Sequence, residues 1–201
     1  MEGLIKKIML VGVILLLMYT FKLGGDNDNV KEEKKEEKPP KESPFREPEH
    51  QYVGVKKCKI CHRMKKLAGE EFQIWEQSKH AKAYETLGTD EAKKIAKEKG
   101  IENPQEDGKC LKCHIIAYGV DEKWRGDEVT KEEGVSCEAC HGPGGDYKDK
   151  ETMKNREKAI EKGLVIPNEK TCLACHNSES PSYKEFKYEE FREKIKHWEE
   201  K

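Results

Sequence analysis

Eight cysteines stand in four C-x-x-C pairs, and each pair is followed at once by a histidine. The pairs are Cys58/Cys61, Cys110/Cys113, Cys137/Cys140 and Cys172/Cys175; the histidines are His62, His114, His141 and His176. Two thiols on one helical turn can reach the two vinyl groups on one edge of a porphyrin and close thioethers there. The adjacent imidazole then falls beneath the ring and offers a nitrogen to its iron. C-x-x-C-H is the attachment signature of a c-type haem. The pattern predicts four covalently bound haem c groups, with the eight cysteines as thioether donors and the four histidines as proximal iron ligands. Zinc explains the pattern less well, because paired zinc-binding motifs lie about 12–20 residues apart; the gaps here are longer, and zinc gives no reason for a histidine after every pair. Disulfides and a thioredoxin-like redox pair also leave the four histidines without a role.

A haem iron has a second axial position. Outside the motifs the sequence offers His50, His80 and His197 for it, with Met153 as a thioether alternative. His80 is the strongest candidate, since Ser78, Ala81 and Ala83 around it are small enough to let a porphyrin approach. His197 lies away from Phe191, Ile195 and Trp198 on a helical wheel, which fits either a haem-facing side or simple solvation. His50 ends a polar linker and reads either as solvated, as folding back onto a haem, or as reaching a neighbouring molecule. Met153 would raise the potential of its haem; its competing reading is packing on the inner face of a helix.

The elements that must position these residues are short and helical. Gly69 to Leu87, Asp90 to Lys99, Asp149 to Lys162 and Tyr183 to the C-terminus carry helical patterns, with Thr89 as an N-cap and Gly100 just past a helix end. The motifs themselves sit in turn-rich stretches such as Gly142-Pro143-Gly144-Gly145. Gly134-Val135-Ser136 is the one short segment read as extended. The expected fold class is mainly α, a small multihaem cytochrome c domain built around its haems, with few short strands. Of 201 residues, 34% are hydrophobic and 39% charged, a poor endowment for an all-protein core. Porphyrins would supply the missing apolar mass, and Trp75, Tyr84, Trp124, Tyr147 and Trp198 are expected to pack on them. A net charge of −1 gives no basic excess for nucleic acid.

The N-terminus reads as an export segment. Lys6-Lys7 precedes an apolar run from Ile8 to Phe21, and no small-x-small cleavage site follows. Residues 1–25 are read as an uncleaved signal anchor or transmembrane helix, in preference to a cleaved signal, with the cationic start in the cytoplasm. Residues 26–50, with their Lys/Glu run and Pro39, Pro40, Pro44 and Pro48, are a solvated linker. Residues 51–201 form the haem domain.

From about Gly54 onward the chain resembles the cytochrome c-554 family of tetrahaem electron carriers. The resemblance rests on Lys57-Cys58 through His62, Trp75-Glu76-Gln77-Ser78-Lys79-His80-Ala81, Cys110 through His114, Gly134-Val135-Ser136-Cys137-Glu138-Ala139-Cys140-His141-Gly142-Pro143-Gly144, and Cys172 through His176. It implies a mostly helical fold around closely packed haems, three of them with two imidazoles each. Positions matching His80 and His197 would serve the third and fourth haems, and the second haem, on His114, would be five-coordinate and open to a small ligand. The family's distal histidine for the first haem falls at Glu151 here, a departure from the pattern.

The expected function is electron transfer by a membrane-anchored tetrahaem cytochrome on the periplasmic or extracellular side of the cell inner membrane. Its partners would be redox proteins or a quinol-linked donor. The alternative is an oxidoreductase acting on nitric oxide or a related nitrogen or sulfur compound at the haem on His114. A conductive filament, with His50 ligating a neighbour, is a third reading that the anchor disfavours.

Overall fold

Helices of four to nine residues joined by turns make up almost all of the architecture. A computed structural model describes residues 48–66 and 69–197. The expected anchor, the linker up to residue 47 and Trp198 lie outside the described residues. Among these residues no helix is long and apolar enough to cross a membrane.

The elements in order are α1 (Val55–His62), α2 (Glu71–Glu76), α3 (Ala83–Thr86), α4 (Asp90–Glu98), α5 (Gly108–His114), two 3-10 turns (Glu122–Trp124 and Lys131–Glu133), α6 (Cys137–His141), α7 (Lys150–Met153), α8 (Arg156–Glu161), α9 (Glu169–Leu173) and α10 (Tyr188–Arg192). Among the described residues the extended pairing is a single parallel bridge, Tyr52 with Arg125. The mainly helical expectation holds. Gly134-Val135-Ser136 is not a strand: it precedes α6, and the Val135 N–H is used by the His80 carbonyl, 3.0 Å away.

Two expected long helices are broken, each for a local reason, and the one expected from Tyr183 onward is confined among the described residues to Tyr188–Arg192. Between α2 and α3 the chain turns through Ser78–Lys82, and the His80 carbonyl accepts both Ala83 and Val135 N–H groups. The local bond runs from Ala83, three residues on, as in a turn and not as in the i to i+4 ladder of an α-helix. Asp149–Lys162 divides at Asn155, whose side chain accepts the Lys158 N–H at 2.8 Å and so starts α8 afresh. The Thr89 cap forms as expected, with its hydroxyl oxygen 3.2 Å from the Ala92 N–H.

The protein core is small. One cluster joins Tyr52, Ile116, Ala117 and Val120, with Trp124 and Val129 against it. A second joins Leu87, Leu111 and Ile115, flanked by Tyr84 and Cys110. Trp124 and Tyr84 therefore pack on protein. Leu111 lies between the two cysteines of the second motif, so this core fixes α5 directly.

Candidate functional site

Each C-x-x-C-H run occupies a helix end. Motif one fills the second half of α1, motif two that of α5, motif three all of α6, and motif four runs from α9 into the following turn. All eight cysteines are free thiols and half-buried.

The motifs meet pairwise through sulfur. Cys58 and Cys137 lie close enough to interact, which raises the pKa of Cys58 and lowers that of Cys137. Likewise Cys175 interacts with Cys113, whose pKa falls to about 7. Cys140 lies within electrostatic range of both Cys172 and Cys175. Motif one thus abuts motif three, motif two abuts motif four, and motif three also faces motif four. An ion pair from Lys112 to Glu179 further ties α5 to the turn after motif four.

The histidines are assembled in the same manner. His80 stands against His176, with ring centroids 5.9 Å apart and an interplanar angle of 76°. His197 stands against His141 at 5.7 Å and 64°. Two imidazoles bound to one metal from opposite faces, each at about 2 Å from it, hold their ring centres roughly 6 Å apart. His176 also stacks on Phe186 at 4.7 Å, which fixes its ring plane. Burial, helped by the neighbouring His176, lowers the pKa of His80; burial does the same for His141. Both are held in the neutral form that binds iron.

The other ring nitrogen is held at several positions. His114 Nδ1 is 2.7 Å from the Ala83 carbonyl and His141 Nδ1 is 3.1 Å from the Val165 carbonyl, so each presents Nε2. A ligating histidine is oriented in this way. His62 is held more loosely, its Nδ1 3.8 Å from Glu71 Oε2. Among the described residues no second imidazole stacks against His62 or His114. His50 belongs to the folded part despite its place at the linker's end: its Nδ1 is 2.8 Å from Asp146 Oδ2, and its ring lies over Gly163, where a Cβ would fall 2.7 Å from Nε2. Met153 ends α7, half-buried, with its N–H on the Asp149 carbonyl.

Carboxylates that motif reading overlooked fasten the first and third motifs together. Glu138 sits between the cysteines of motif three and is 1% exposed. Its oxygens accept the N–H groups of Val53 (3.0 and 3.1 Å), Gly54 (2.8 Å) and Gly144 (2.6 Å). Glu133, also buried, accepts Val55 N–H at 2.8 Å and Thr130 N–H at 3.0 Å. Together they satisfy amides at the start of α1, which otherwise have no partner. For Glu133 a signal was present: Thr130-Lys131-Glu132-Glu133 is a capping-box pattern. For Glu138 none was, since its partners Val53 and Gly54 lie 85 and 84 residues away.

The backbone near His80 carries its own constraint. Gly134 has φ 62, and a Cβ there would meet the His80 carbonyl at 2.7 Å. Gly134→Ala is expected to destabilise the protein by about 1–3 kcal/mol. It should also push His80 away from His176. A lower thermal midpoint with a weakened low-spin haem signal would record both effects; an unchanged midpoint would refute the constraint.

These residues fit a covalent porphyrin. The thiols are paired, unbridged and at the right spacing, imidazoles face one another at the separation an iron between them requires, and exposed apolar side chains, Ile60 and Leu173, lie inside two of the motifs. The class so defined is a c-type cytochrome with covalently bound haem c. Residues 57–142 match the family described as cytochrome c554 and c-prime, a stretch that includes the first three motifs. A curated relative, cytochrome c-554 of Nitrosomonas europaea, is 33% identical over 141 residues, 62% of this chain and 57% of the relative. The chain thus spans a little over half of that protein's length. No solved structure matches significantly. Over this stretch the chain is similar to the cytochrome c-554 family.

Proposed function

We propose that the protein is an electron carrier holding four haems c, one on each motif, with His62, His114, His141 and His176 as proximal ligands. In this reading His80 completes the haem on His176 and His197 completes the haem on His141. The observation that carries the proposal is the sulfur contact between motifs, Cys58 to Cys137 and Cys113 to Cys175, with Cys140 near Cys172. Thioether sulfurs mark porphyrin edges, so sulfurs in contact bring those edges within range of rapid hopping. The order is one–three–four–two. Bound haem supplies the one-electron ferric/ferrous couple; the chain supplies spacing, axial ligands and burial, which set each potential.

His50 is proposed as the sixth ligand of the haem on His62. Its Nδ1 is fixed by a carboxylate, as in ligating histidines. It also shares a neighbourhood with that motif: Gly163 beneath it leads to Val165, which holds His141, and His141 in turn feels the charge of His62.

The test is mass spectrometry of the intact chain together with electron paramagnetic resonance of the oxidised protein. Four haem masses, three low-spin irons and one high-spin iron are expected. Fewer haems would refute the tetrahaem count, and two high-spin irons would remove His50 from the ligand set.

The lone imidazole at His114 favours a second reading at that one haem, an open iron that binds or reduces a small nitrogen or sulfur compound. Nitric oxide shifting the high-spin signal, with turnover, would support it. The setting proposed for either reading is the outer face of the inner membrane. There residues 1–25 act as anchor, the charged linker gives reach, and a redox protein or quinol-linked enzyme serves as donor.

A further inference from the structure

Glu138 is unusual for its position in a motif. Leu111 and Leu173 occupy the matching place in motifs two and four, whereas motif three buries a carboxylate there. Its hydrogen-bond partners are all donors, the N–H groups of Val53, Gly54 and Gly144. A protonated carboxyl needs an acceptor for its own hydrogen, and none is offered. Burial leaves the pKa of Glu138 raised overall; the bonds from Gly144, Val53 and Gly54 oppose that rise, and it is their all-donor geometry that favours the anion. The group is thus built to remain an anion at neutral pH.

Its position relative to two motifs is equally specific. It lies between Cys137 and Cys140, and the amides it grips open the helix that carries Cys58 and Cys61. Its charge is felt at the Cys58 and Cys137 sulfurs, which stand in contact with each other. Solvent and salt screen a buried charge only weakly.

We infer that Glu138 is a fixed anion that lowers the reduction potentials of the two haems attached through Cys58/Cys61 and Cys137/Cys140. The inference rests on the tetrahaem reading above. Ferric haem carries one more positive charge than ferrous, so a nearby anion favours the oxidised state. Glu133, buried at the same helix start, acts in the same sense: it accepts from Val55 and Thr130, and its charge also reaches Cys58 and Cys137. Glu138 is accordingly a potential-setting residue that makes the one–three pair harder to reduce than the two–four pair, giving electrons a downhill path from the first pair to the second.

The test is a spectropotentiometric titration of the haem-loaded full chain against its Glu138→Gln variant. Two of the four transitions should move to more positive potential by a tenfold change in the reduction equilibrium, about 59 mV. The transition of the high-spin haem, followed in its own absorption band, should stay in place. The displacement should persist in high salt, which a surface charge would not show. No shift, or an equal shift at all four haems, overturns the inference while leaving the haem count and the electron-transfer reading intact. Should Glu138→Gln fail to load haem, Glu133→Gln carries the test: a smaller positive shift at the same two haems supports it, and its absence overturns it. Fewer than four haems on the unaltered chain would instead overturn the reading on which the inference rests.

Discussion

Replacing His80 by Ala is expected to turn one low-spin haem high-spin and leave the other low-spin haems unchanged. His80 is the ring that faces His176, and neighbouring backbone fixes it twice, through its carbonyl to Val135 N–H and to Ala83 N–H. Alanine keeps that backbone and removes the imidazole. The iron on His176 would then have an open face, so the oxidised protein should give two high-spin signals in place of one, and the new site should take up cyanide or imidazole. Added imidazole should restore the low-spin count. His197→Ala should do the same to the haem on His141. If either substitution leaves all low-spin signals in place, the corresponding pairing is not axial ligation. Combining the two substitutions should convert two irons independently, since the pairs share no ring.

The second large effect concerns folding. Among the described residues, the buried hydrophobic side chains form two small clusters, and the rest include the alanines Ala83, Ala96 and Ala159, which bury little area. Ordering a residue opposes folding by about 1–2 kcal/mol. A 201-residue chain with 34% hydrophobic residues has little of its own to set against that. Substituting all eight cysteines by Ser prevents attachment, and the resulting chain is expected to lose more than about half of its helical circular dichroism, with no cooperative thermal transition. A haem-free chain that melts cooperatively with native helix content would show that the protein core suffices alone. The same logic grades the single motifs. Losing motif two, whose Leu111 sits in a protein cluster, should be less damaging than losing motif three, which holds α1 through Glu138.

The proposed haem attachment can be read from the sequence because it is local: two thiols and an imidazole must lie within five residues, and the spacing itself is the signal. Helix content was legible for the same reason, through caps such as Thr89 and the polar character of the chain. For His80 and His197 the resemblance gave the third and fourth haems, whereas the rings pair His80 with His176 of the fourth motif and His197 with His141 of the third. Nothing local to His197 marks its approach to His141, more than fifty residues earlier in the chain. Helix lengths were overestimated at Gly69–Leu87 and Asp149–Lys162, because periodicity registers propensity and not the long-range use of a carbonyl such as that of His80. Glu138 stayed hidden for a related reason: its charge looks like solvated surface until the fold brings the Val53 and Gly54 amides to it. Buried polar groups find their partners through topology, which a single sequence does not display.

The meeting of Cys58 with Cys137 and of Cys113 with Cys175 also dictates an order of assembly. A chain that collapsed before attachment would press thiols of different motifs together, and in an oxidising compartment such neighbours close disulfides across motifs. Each cross-link would consume one thiol from each of two attachment sites and lock the chain around nothing. In the four-haem reading, attachment is therefore expected to precede the final collapse, so that the sulfurs are already spoken for when the motifs meet. The weak protein core becomes an advantage in this light: a chain unable to fold early cannot trap its own thiols.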